Sequence, residues 1–242
     1  MRFRLVITLW GLAVACLPAR GYGGEWSVRP ELLTELPLHV GAGVGVEGPH
    51  RLFVASSVGW MPPAYLGATN DLLVALFDDS GYTRETADLV ESSLKNALVW
   101  RIGAGWQPFR STGFYFAVGY TLAALGGDVS GPAVLEAVTG KQLPVDSGES
   151  SRGFDVSSSL HMVDCQLGWK WYLGDHWMLR AALGGAFTVG SSTSVASRFH
   201  PPGKKAQDGV AGLEREAEAY LDDTYTTYVH TAVVTAAVGY GF

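Results

Sequence analysis

At 242 residues the chain is long enough for one barrel with sizeable loops, or for one or two soluble domains. Charged residues make up 17%, below the roughly 25% usual in soluble domains, while glycine and aromatic residues are plentiful. A net charge of -6 argues against nucleic acid as a partner, because that binding requires a basic patch.

The chain opens on a short basic segment carrying Arg2 and Arg4, followed by an apolar run from Leu5 to Leu17 and then by small residues. The run is shorter than the ~18 apolar residues a spanning helix needs, so residues 1–21 read as a secretory signal peptide, with cleavage expected after Ala15 or Gly21. Cys16 follows Ala13, Val14 and Ala15, an imperfect lipid-attachment box in which Ala13 stands where Leu is favoured. With the leader removed, Cys165 is the one remaining cysteine and has no internal disulfide partner. No later apolar run is long enough for a membrane helix.

From residue 35 onward the chain alternates with period two. Leu36 to Val46 place Leu, Val and Ala on one parity against His39, Gly41, Gly43 and Gly45. Leu52, Val54, Val58 and Trp60 oppose Ala55, Ser57 and Gly59. Leu98, Trp100, Ile102, Ala104 and Trp106 oppose Arg101, Gly103 and Gly105, and Phe114 to Leu122 continue the pattern after a turn. Val163, Cys165, Leu167, Trp169 and Trp171 oppose Asp164, Gln166, Gly168 and Lys170. Trp177, Leu179, Ala181, Leu183 and Phe187 oppose Arg180, Ala182 and Gly184. In series, such segments are the signature of a β-barrel.

The closing stretch is the most regular. Counting back by twos gives Phe242, Tyr240, Val238, Ala236, Val234 and Ala232 on one parity, with mostly small residues on the other. A terminal Phe with apolar residues at alternate positions before it resembles the last strand of a bacterial outer-membrane β-barrel. The resemblance, to the small eight-stranded members, covers nearly the whole mature chain, residues 22–242. It implies an all-β, antiparallel, up-and-down transmembrane barrel located in the outer membrane and surrounded by its lipid. It also implies that Phe242, Tyr240 and Val238 form a signal read by the barrel-assembly machinery.

Placement of charge agrees with that resemblance. Arg101, Asp164, Lys170 and Arg180 all fall on the parity opposite the apolar one, avoiding the ~2–4 kcal/mol that Arg or Lys costs when facing mid-bilayer lipid. These four and His39 form the expected lumen network. Alternation alone is equally compatible with a soluble barrel whose apolar face points inward, and Gly24-Glu25-Trp26 resembles the Gly-x-Trp opening of lipocalins. The opposite face, however, is mostly Gly, Ala, Ser and Thr, which suits a narrow lumen better than a wet exterior.

Short turns at 47–51, 108–113 and 174–176 alternate with long connections at about 62–96, 125–155 and 191–224, the asymmetry of periplasmic turns and extracellular loops. Trp106, Phe114, Trp171 and Trp177 gather near the short turns and read as an interfacial aromatic girdle. Seven strands are clear. An even number requires an eighth, and Gly23 to Leu33 is the candidate, either as a first strand or as a lumen segment, although it contains Pro30 and alternates poorly. Helices are expected in the long loops, over Asn70–Phe77, Thr83–Leu94, Pro132–Val138 and Val210–Leu221.

No acid, base and nucleophile cluster is visible, the His residues are scattered, no spacing suggests a metal site, and no cofactor is implied. The expected role is that of an integral surface protein, structural or engaging an unidentified surface partner, and not an enzyme. The alternative is a narrow porin-like channel for small solutes or ions, encouraged by the many Gly and Ala positions on the lumen parity, and the third reading is an outer-membrane enzyme or a soluble lipocalin-like binder.

Overall fold

The computed structural model describes residues 26–62, 64, 65, 67, 97–109, 112–130, 153–199 and 203–242, with the backbone alone at 127–130. The leader with Cys16, most of the lipocalin-like triplet and the helices expected over Asn70–Phe77, Thr83–Leu94 and Pro132–Val138 lie outside the described residues.

Eight antiparallel strands follow one another around a closed barrel: β1 (Ser27–Leu36), β2 (His39–Glu47), β3 (Leu52–Trp60), β4 (Leu98–Trp106), β5 (Phe114–Ser130), β6 (Gly153–Leu173), β7 (Trp177–Ser197) and β8 (His230–Tyr240). A single long helix, α1 (Lys204–Tyr228), lies between β7 and β8. No described helix is long and apolar enough to cross a membrane.

The eighth strand is β1, and it closes the ring by pairing with both β2 and β8. Pro30 is tolerated because β8 pairs only from Glu31 onward, so no β8 partner requires the amide hydrogen that Pro30 lacks. The alternating segment read from Leu36 to Val46 spans two elements. Pro37 cannot continue a ladder, and the chain turns at Pro37 and Leu38, so Leu36 ends β1 and His39 begins β2. The first connection at that end of the barrel is therefore a two-residue turn, while the other three are long.

Alternation and closure together decide which face is inside. On β6, Leu167 is 55% exposed and Trp169 45%, whereas Asp164 and Gln166 are buried. The other strands share the apolar exterior, while inside the barrel polar and glycine residues fill the middle and the short-turn end and apolar residues gather toward the long connections. A lipocalin arrangement, apolar inside and charged outside, is thereby excluded.

Strands β5, β6 and β7 run 17, 21 and 21 residues, about twice the length of the others. The connections read as 125–155 and 191–224 are accordingly shorter on the strand side, since β5 reaches Ser130, β6 begins at Gly153 and β7 reaches Ser197. Pairing between β4 and β5 ends at Leu98 and Ala124, and between β7 and β8 at Phe187 and His230. Beyond those pairs a three-stranded blade stands clear of the barrel. At its base Val189 is an extra residue, because His161 pairs with Gly190 and Met162 with Thr188. Below this bulge the exterior of β6 and β7 is apolar. Above it the outward residues become Ser157, Ser159, Ser192 and Ser194.

Candidate functional site

The barrel interior and the helix at its mouth hold the buried polar chemistry. Helix α1 extends the segment read over Val210–Leu221 to 25 residues, and Val210, Leu213 and Tyr220 pack against the core as their shared stripe requires. Ala217, Leu221, Thr224 and Tyr225 form its most buried edge. They meet an apolar layer contributed by β4, β5, β6, β7 and β8, including Val99, Met162, Ala186 and Val233, all essentially without solvent contact. Thr188 fixes the helix end, its hydroxyl donating to the Val229 carbonyl at 2.6 Å. The helix thus seats as a lid on this layer, to which Leu38 at the first turn also contributes.

Under the dry layer lies an ionic one. Arg101 donates to Asp164 through Nε at 3.0 Å and Nη2 at 2.5 Å, the two-point geometry that matches guanidinium to carboxylate. Thr121 donates to the same carboxylate at 3.3 Å. The Nη1 of Arg101 lies 3.4 Å from Glu35, whose other oxygen lies 3.6 Å from His39 Nδ1. His39 Nε2 is 3.3 Å from the Ser57 hydroxyl. The order hydroxyl, imidazole, carboxylate is that of a nucleophile relay. Here it is enclosed: His39 and Glu35 are buried to about 1% exposure or less, and Ser57 to 8%. Among the described residues neither Glu35 oxygen nor His39 Nδ1 has a hydrogen-bond partner, so Glu35 is held here by charge and not by hydrogen bonds.

Two further clusters sit toward the short turns. Arg180 donates to Glu31 at 2.7 Å. Glu47 accepts from Lys170 at 2.7 Å, Arg29 at 2.5 Å and the Tyr172 hydroxyl at 2.8 Å. The Lys170 ammonium also lies 3.5 Å from the centre of the Phe53 ring, which is packed edge-on against Tyr115. Glu31, Glu35, Glu47 and Asp164 balance Arg29, Arg101, Lys170 and Arg180, so the interior is neutral with His39 uncharged.

Of the network residues read from sequence, Arg101 and Asp164 meet each other directly. His39 joins them through Glu35, while Lys170 and Arg180 lie in separate clusters. The sequence reading missed Arg29, Glu31 and Glu35 on β1, and Glu47 at the end of β2. Their signal was present, because Arg29, Glu31 and Glu35 share one parity against Pro30, Leu32 and Leu36. Pro30 on the outer face and the buried Leu33 on the inner one obscured it.

Glycine on the lumen parity does not leave the bore empty. A Cβ on Gly119 would stand 2.5 Å from Asp164 Oδ2 and 2.8 Å from Arg101 Nη2, and one on Gly168 would stand 2.7 Å from the Tyr115 hydroxyl. These glycines make room for large side chains from neighbouring strands. The cavity between Glu31, Glu47, Phe53, Lys170 and Arg180 measures about 10 Å³, room for about one water.

On the exterior, Trp106, Trp171 and Trp177 are 40 to 52% exposed near the short turns, and Phe114 packs edge-on against Trp169 beside them. Tyr240 packs against Trp177 and Phe242, which is itself 75% exposed, and Val238 is half-buried on the same face. Cys165 faces outward.

The molecule is thus a small closed barrel of eight antiparallel strands, greasy outside, ionic within and lidded at one end. No protein-family model matches the chain, and no curated protein does. Among solved structures it resembles CarO of Acinetobacter baumannii, at 12% identity over 89% of this chain and 96% of that one, with a TM-score of 0.37. It also resembles CarO2 of the same organism, at 14% identity over 91% and 100%, with a TM-score of 0.39.

Proposed function

We propose that the chain is an integral outer-membrane β-barrel with a sealed bore, serving as a structural or surface-interacting protein whose long loops and helical lid face outward. The observation that carries this reading is the inverted polarity of the wall. Such an exterior is stable only against acyl chains, and a closed barrel satisfies every ladder hydrogen bond there. The height of the apolar face fits. On β7, Trp177 and Phe187 lie ten positions apart on the outer surface, ~33 Å along a strand. Tilted by about 40°, that spans ~25 Å, the height of a barrel's apolar band. The switch to serine just above Phe187 marks the upper limit of the band.

The sealed bore favours a structural role over a narrow channel. Opposed charges fill the middle, an apolar layer lies above them, and α1 covers both. The mature protein should require detergent for solution, migrate differently on gels with and without heating, and insert into lipid vesicles. In planar bilayers it should give no defined open state. A freely water-soluble monomer would sink the membrane reading, and a regular unitary conductance would sink the sealed bore.

A further inference from the structure

The outer wall carries a furrow of about 1000 Å³ that crosses the faces of β8, β1 and β2. It follows the hydrogen-bonding direction instead of the strands. Its floor is one row of register partners, Ala181, Ala236, Thr34 and Val40, ending at Trp60. The adjacent row, Trp171, Leu179, Val238 and Leu32, forms a wall. Small side chains in the first row and large ones in the second create the depression, with Leu32 and Trp60 each more than 60% exposed above it. From β6 to β3 it crosses five inter-strand gaps, ~24 Å at ~4.8 Å each. Because strands are tilted, this path climbs from the turn end at Trp171 to the lid end at Trp60.

We propose that the furrow seats one acyl chain of a membrane lipid, held lengthwise between Trp171 and Trp60. The proposal rests on the membrane reading above, and three features choose the occupant. The furrow is continuous with the apolar exterior that faces lipid in that reading. Its floor is almost wholly apolar: the outward hydroxyl there, Thr34, is bonded to the Tyr65 hydroxyl at 3.0 Å, and other outward polar side-chain atoms are the indole N–H groups of Trp60 and Trp171 at its two ends. An extended peptide laid along the floor would therefore leave its backbone groups unsatisfied, and a helix, about 10 Å across, is too wide to reach the alanine floor. The furrow is also concave, so the convex wall of a second barrel would rest on Leu32 and Trp60 and leave the alanine floor empty, whereas a single chain reaches it.

The test uses the full mature protein, reconstituted in vesicles of phosphatidylethanolamine and phosphatidylglycerol, then exchanged into detergent and weighed by native mass spectrometry. Wild type should retain one phospholipid per barrel through exchange. Ala236→Phe, which fills the floor from an exposed position, should lower the retained fraction at least fivefold with heat-modifiable migration unchanged. Ala181→Phe should repeat the loss if the first variant folds poorly. Retention unaffected in both folded variants, no retained lipid in wild type, or a retained second copy of the chain would each overturn the proposal. Failure of wild type to enter vesicles at all would instead remove the membrane reading on which it rests.

Discussion

Asp164 shows how tightly the interior is matched. Its carboxylate takes two bonds from Arg101 and one from Thr121 while almost fully buried. Removing it leaves a buried guanidinium short of its partner, which costs ~3–5 kcal/mol. Asp164→Ala should lower unfolding stability in detergent by about that amount. The double variant with Arg101→Ala should lose less than the sum of the two single losses, because the second truncation removes the orphaned charge. Additive losses in a denaturant-unfolding cycle would deny the pairing. Gly119→Ala should perturb the same pair without touching either charge, since the added methyl would lie within 3 Å of both partners. Half of this chemistry was legible in the alternation of strands, which placed Arg101, Asp164, Lys170 and Arg180 on the inner parity. Their acidic partners were not, because β1 mixes inner Leu33 with outer Pro30. The filling of the bore was not legible either, because a glycine in sequence does not show which neighbouring side chain occupies its space.

At the scale of elements, the blade of β5, β6 and β7 poses an edge problem that α1 solves. Beyond Phe187 strand β7 has no β8 partner, and an open edge is a template for unwanted pairing. Helix α1 covers it with carboxylates. The Val195 amide donates to Glu218 at 2.9 Å and the Ser197 amide to Glu214 at 2.8 Å, while the Ser191 hydroxyl donates to the Asp222 carbonyl at 3.1 Å. These glutamates look like a solvated charged face in sequence, and only the register of β7 gives them a purpose. Their removal should act locally, because the barrel ladder does not depend on them. Glu214→Ala with Glu218→Ala should accelerate hydrogen exchange at Val195 and Ser197 by at least tenfold and leave β8 amides protected. Equal acceleration throughout the barrel would mean that lid and wall unfold together. The helix itself was legible, because Val210, Leu213, Ala217 and Tyr220 repeat at helical spacing. The blade was not, because the bulge at Val189 exchanges the two faces and breaks the alternation that reveals a strand.

For the molecule as a whole, the period-two pattern carried the architecture while leaving inside and outside undetermined; closure of the ring resolved them. The consequence is a depth-dependent sensitivity that a soluble barrel would not show. Leu183 is 62% exposed midway along the apolar span of β7, between Trp177 and Phe187. On a water-facing surface a substitution there would change stability by less than about 0.5 kcal/mol. Facing the middle of a bilayer, an arginine should cost ~2–4 kcal/mol, falling to ~0–1 kcal/mol near the interfaces. Leu183→Arg should therefore lower the stability of the vesicle-embedded barrel strongly. Phe187→Arg should do so weakly, after allowance for its lost packing against His230. Ser192→Arg, above the bulge, should be close to neutral. Reversible unfolding from lipid vesicles reads all three. A graded order from Leu183 through Phe187 to Ser192 supports the membrane span and places its midplane on β7. A flat series would mean that the exposed leucines and tryptophans are covered by something other than lipid, and would send the search to a protein partner that wraps the wall.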